Sequence, residues 1–115
     1  MNSESQILDG WDRLKHTFRD KCEKLSKFSP TIKLECEEPD LHKFYVNHKG
    51  RGGRAVLELT LDLGMSRVIC EDRWSNRSKS VDIVVAKSNV IFANGGSAII
   101  LPQFVDQLLM QITRP

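Results

Sequence analysis

The sequence predicts an α+β fold, an antiparallel meander of about six or seven strands flanked by an N-terminal and a C-terminal helix. Three observations carry this. Apolar residues recur at steps of three and four near both ends of the chain, the spacing of a helix with one dry face. Between those ends the apolar period shortens to two, that of a strand with one dry and one wet face. The connections between alternating segments are about two to six residues long, whereas a parallel crossover needs a dozen or more.

The first helix is capped by Ser5 and carries Leu8, Trp11, Leu14 or Lys15, Phe18, Cys22, Leu25 and Phe28 on one face, about six turns in all. Its other face is charged, with acids early and bases late, as the helix dipole favours. Ser29-Pro30 ends it, because proline has no amide hydrogen and pushes its predecessor out of helical geometry. Ile32, Leu34 and Cys36 alternate with Lys33, Glu35 and Glu37 in a first strand. Pro39-Asp40 turns the chain into a second strand from Leu41 to His48, with Phe44 and Val46 as the preferred inward pair.

Residues 49–54 combine three bases with three glycines and read as a loop. Ala55, Leu57, Leu59, Leu61 and Leu63 against Val56, Glu58, Thr60 and Asp62 give the clearest alternation of all. After a bend at Gly64, Arg67 to Trp74 is a return strand with Val68, Cys70 and Asp72 on one side. Residues 74–79 form a polar connection, and Val81, Ile83 and Val85 mark the next strand. Ser88-Asn89 turns into Val90–Ala93, and Asn94-Gly95-Gly96-Ser97 is a hairpin signal because asparagine and glycine tolerate positive φ. Ala98–Leu101 completes that hairpin. Pro102 suits a first helical turn, and Phe104, Val105, Leu108, Leu109 and Ile112 form the stripe of the second helix.

The chain has 115 residues, one core's worth of polymer, so residues 1–115 are read as a single domain. Hydrophobic residues at 40% and charged ones at 28% are globular proportions, not those of a disordered chain. No apolar run approaches the roughly 18 to 20 residues of a membrane span. The polar start lacks the basic-then-apolar pattern of a secretory signal. Cys22, Cys36 and Cys70 are an odd, widely spaced set at apolar positions of the pattern. Together these features predict a cytoplasmic protein with reduced, buried thiols and no membrane partner. Asn76-Arg77-Ser78 matches a glycosylation acceptor but is read only as a turn.

Function classes follow by elimination. Cys36, His42, His48 and Cys70 lack the close pairs that bring two ligands to one zinc ion, so no metal site and no cofactor is expected. No nucleophile elbow occurs, and Glu35 and Glu37 share the wet face of a strand, so no catalytic residue is assigned. Gly50-Arg51-Gly52-Gly53 runs into a strand where a phosphate cradle would need a helix.

Two features remain. Val84–Ala86, Val90–Ala93 and Ala98–Leu101 are apolar on both faces, while two helices side by side shield at most about 20 Å of a sheet about 24 Å across. Either the helices lie on opposite faces, or the sheet curls, or a second copy covers the rest. The preferred reading is a non-enzymatic protein-interaction or assembly module, a homodimer or a binder of another protein, with Val84, Ala86, Ile91, Ala93, Ile99 and Leu101 at the interface. The second feature is charge. The net charge is only +2, yet residues 49–54 and 73–79 each hold +3 while residues 55–72 hold −3. With two strands between them these loops leave the sheet at the same end, so Lys49, Arg51, Arg54, Arg73, Arg77 and Lys79 could grip phosphates with Trp74 or Tyr45 stacking on a base. Nucleic-acid binding is the alternative, and a small apolar-ligand cup made by a curved sheet is the third reading.

Overall fold

The computed structural model describes residues 3–51, 54–87 and 89–113, without the side chains of Ser3, Arg51 and Arg54. Helix α1 (Ser3–Phe28) is followed by strands β1 (Leu34–Asp40), β2 (Lys43–His48), β3 (Arg54–Asp62), β4 (Arg67–Asp72), β5 (Arg77–Ala86), β6 (Asn89–Asn94) and β7 (Ser97–Ala98), then helix α2 (Leu101–Thr113). The seven strands form one antiparallel sheet in chain order. No helix among the described residues is long and apolar enough to cross a membrane.

One face of the sheet carries the core. Phe44 pairs with Leu59 and Leu59 with Cys70; Val46 pairs with Leu57; Leu61 pairs with Val68 and Val68 with Val81; Ile83 pairs with Phe92. Partners directly opposite share a face, and all of these are buried with Trp11, Leu14 and Phe18 of α1 and Phe104, Val105, Leu108 and Leu109 of α2. Phe44 and Val46 point inward, as does Asp72. The Asp72 carboxylate accepts the backbone N–H of Trp74 at 2.9 Å and of Ser75 at 3.0 Å, and the Ser75 hydroxyl at 2.6 Å. That buried charge therefore caps the β4–β5 turn.

The sheet curls around α1. This helix packs on β1 and also on β5 and β6, although strands one and six would stand about 24 Å apart in a flat sheet and a helix is about 10–12 Å across. Two adjacent residues show the closure. A Cβ on Gly10 would fall 2.9 Å from Ile83 Cγ2 and 3.0 Å from Val90 Cγ1, while Trp11 Nε1 donates to the Leu41 carbonyl in the β1–β2 turn at 2.9 Å. Register shifts between Glu37 and Asp40 and between Val46 and Asn47 add local bend. At the second of these Val56 and Leu57 are both buried, which breaks the alternation expected for Val56.

Several boundaries differ from the sequence reading. Ser5 lies inside α1, which starts at Ser3 with Glu4 in its first turn. Phe28 is exposed at the frayed end of the stripe. Strand β1 runs through Pro39 and Asp40, and the turn falls at Leu41 and His42, where the Asp40 carboxylate accepts the His42 N–H at 2.8 Å. Strand β4 stops at Asp72 and β5 starts at Arg77, so the polar connection is shorter than residues 74–79. His48 is buried, because it shares the inward parity of Val46; its Nδ1 accepts the Gly50 N–H at 3.2 Å. The last strand is only Ser97–Ala98, and Leu101 opens α2 with its side chain in the core. The hairpin before it turns at Gly95 (φ 59°) and Gly96 (φ 86°), the two positive values that a type I′ turn requires.

Candidate functional site

Both helices use the concave face, so the convex face is left to solvent. Its first half is polar by alternation: Glu35 and Glu37 on β1, Lys43 and Tyr45 on β2, Glu58 and Thr60 on β3, Glu71 on β4. Several charges there are paired, with Arg73 on Glu58 and Glu71, and Lys49 on Glu35 at 2.7 Å. A further pair, Arg67–Asp82 at 2.8 Å, marks where this polar half ends.

Beyond it the surface turns apolar. Val84 and Ile91 are direct cross-strand partners on β5 and β6, each 42% exposed. Ala93 faces Asp82 on one side and Ala98 on the other, which keeps the surface low around that pair. Strand β7 meets β6 only at Ala93 and Asn94, extended by the Ile99 N–H to the Phe92 carbonyl at 2.9 Å. Among the described residues, Asn89, Val90 and Ile91 thus have no strand partner on their outer side. Ile100, just past β7, is also exposed.

The six interface candidates are therefore divided. Val84 and Ile91 lie open on the convex face, Ala86 is half-buried, and Ala93 is covered by its neighbours. Ile99 packs against the core and Leu101 is part of it. The open edge of Asn89–Ile91 escaped the sequence reading because it depends on how short β7 is. A turn signal marks where a hairpin starts, not how long its second arm remains paired.

The basic candidates do not form one surface. The β2–β3 and β4–β5 connections do leave the sheet at the same end. Arg73 turns to the convex face and its acids, whereas Arg77 and Lys79 lie opposite Asp72 and Cys70 and border a cleft of about 240 Å³ with Gln107, Met110 and Gln111 of α2. The sheet separates the two groups. Trp74 is exposed between them, and the side chains of Arg51 and Arg54 lie outside the described residues.

Cys36, His42, His48 and Cys70, which the sequence reading did not assign to a metal, are dispersed as well. Cys36 and Cys70 stand on β1 and β4 with β2 and β3 between them, and no group of three or more His, Cys, Asp or Glu side chains among the described residues could hold an ion. Where a ligand cup would be, Trp11, Leu14 and Phe18 fill the concavity. Burial pushes the Cys70 thiol up to about 12 against a smaller opposing effect of Lys79. Cys22 and Cys36, by contrast, sit together between α1 and β1 in a cleft of about 350 Å³. No family model, curated protein or solved structure matches this chain.

Proposed function

We propose that this protein is a non-enzymatic assembly module that pairs with a second copy of itself through the convex side of β5 and β6. The observation that carries the reading is the exposed Val84–Ile91 pair beside the Asn89–Ile91 edge of β6, which no strand among the described residues covers. Apolar side chains on a sheet face favour burial against a second sheet about 10 Å away, and one patch meeting its own copy about a two-fold axis is the commonest way to assemble. The small side chains of Ala86, Ala93 and Ala98 let such a partner approach. The amphipathic stripe of α1 is not the docking element, since Ile7, Trp11, Leu14 and Phe18 lie within the subunit. Three cysteines without a disulfide suit a reducing compartment, and we place the module in the cytoplasm.

The test is sedimentation or light scattering from the low micromolar to the submillimolar range. The wild-type protein is expected to dimerise reversibly, and Ile91→Glu to be a monomer with an unchanged circular dichroism spectrum. A wild-type protein that stays monomeric throughout overturns the reading. If that monomer binds labelled oligonucleotides in a salt-sensitive way, the basic loops take its place.

A further inference from the structure

The cleft between α1 and β1 holds two cysteines that the proposed assembly does not use. Cys22 follows Phe18 by one turn on the inward stripe of α1, and Cys36 takes the inward position opposite Val46 on β1. Both side chains line this cleft, one from each wall. Arg19, Glu23, Ser26 and Leu34 complete the cleft.

The walls are held in register. The Leu34 N–H donates to the Ser26 hydroxyl oxygen at 2.9 Å, and that hydroxyl donates back to the Leu34 carbonyl at 3.3 Å. One turn from the sulfurs, Arg19 pairs with Glu38 and lies over the Phe44 ring at 5.2 Å. Helix and strand therefore keep the two thiols adjacent.

The two sulfurs differ in access and charge. Cys22 is buried, whereas Cys36 is half-buried and faces the open cleft. A small solute therefore meets Cys36 first. The Cys22 thiol, donating to the Cys36 sulfur, holds the Cys36 pKa below the ordinary thiol range; the Arg19 guanidinium adds to this and burial opposes it. The same hydrogen bond, with burial, keeps the proton on Cys22 by raising its pKa. Thiolate character and access decide where oxidation starts.

We propose that Cys36 and Cys22 form a peroxide-oxidisable dithiol, in which Cys36 is the attacking sulfur, Cys22 the resolving one, and the product a disulfide joining α1 to β1. In the first step the Cys36 thiolate attacks one oxygen of hydrogen peroxide. The O–O bond breaks, Cys36 becomes a sulfenic acid, and the departing hydroxide takes a proton from solvent to leave as water. In the second step the Cys22 sulfur attacks the Cys36 sulfur. The S–S bond forms as the S–O bond breaks, and the hydroxide leaves as a second water with the Cys22 proton. The dithiol loses two electrons and the peroxide gains them. Cys70, buried at the middle of the sheet, takes no part and serves as an internal reference.

The test treats the full chain with stoichiometric hydrogen peroxide, then titrates free thiols and maps peptides by mass. The expected result is loss of two of the three thiols, a Cys22–Cys36 linked peptide lighter by two hydrogens, recovery with dithiothreitol, and a Tm higher by several degrees in the oxidised form. Cys22→Ser should instead leave a Cys36 sulfenic acid that a dimedone-type probe traps, and Cys70→Ala should change nothing. If Cys22→Ser does not fold, the wild-type alkylation profile carries the test. Native Cys36 should then react with iodoacetamide at least tenfold faster than Cys70, with an inflection below that of a free cysteine. Equal reactivity at Cys36 and Cys70 overturns the proposal. So does oxidation that takes Cys36 to sulfinic or sulfonic acid while Cys22 remains a free thiol.

Discussion

The two borders of the sheet meet α1 by different chemistry. At the β1 border the contacts are directional: the Trp11 N–H on the Leu41 carbonyl, the Ser26–Leu34 exchange, and Lys15 and Arg19 on Glu38. At the β5–β6 border they are steric, with Gly10 letting Ile83 and Val90 approach within a methyl group of the helix backbone. The convex surfaces above the borders differ in the same sense. That of β1 is charged and interrupted by Pro39, devices that deter edge pairing, whereas that of β5–β6 is apolar. One border orients the helix, and the other buries hydrocarbon and leaves some of its own uncovered.

Removing the indole gives the largest expected effect. Trp11→Ala deletes a fully buried side chain and its hydrogen bond to the β1–β2 turn, with an expected loss of about 3–5 kcal/mol in denaturant unfolding. Gly10→Leu attacks the opposite border by overpacking, at about 2–3 kcal/mol. Comparable losses from the two would show that both borders are needed for closure, and a tolerated Gly10→Leu would show that the β5–β6 border can yield.

A third experiment reads the sheet between the borders. The native state keeps the Cys70 proton up to about 12, whereas the unfolded chain releases it from about 9. Between these values the unfolded state binds fewer protons, so stability falls as pH rises, by about 1.4 kcal/mol per pH unit. Cys70→Val should remove that slope in denaturant titrations at several pH values.

Glu38→Gln probes the polar border alone. It leaves the nearly buried Lys15 with the exposed Asp12 at 3.2 Å as its ionic partner among the described residues, and is expected to cost about 1 kcal/mol, less at high salt. The smallest effect on folding is expected from Ile91→Glu, within about 0.5 kcal/mol because the side chain already meets solvent. Its consequence should appear in association, and a larger folding loss would mean that the convex patch belongs to the subunit's own core.

Much of the fold could be read from residue order. The alternation of Leu57, Leu59 and Leu61 named the inward face of β3, the stripe from Trp11 to Cys22 named the dry side of α1, and Asn94-Gly95-Gly96-Ser97 located a hairpin. The candidate site was less legible. Leu101 looked like a strand residue and became a helix residue in the core, because a short apolar run before a proline fits either role. Arg73, Arg77 and Lys79 looked like one patch, yet strand parity sends them to opposite faces.

Periodicity, turn chemistry and short connections are local, so the sequence by itself determined the order of elements, the meander and the dry face of each clear strand. Curvature is not local. Whether the sheet wraps α1, which apolar residues stay outside it, and that Cys22 meets Cys36 all depend on how far distant strands bend toward one helix. That bend follows from bulges and from the close approach at Gly10, where tertiary packing sets the energy.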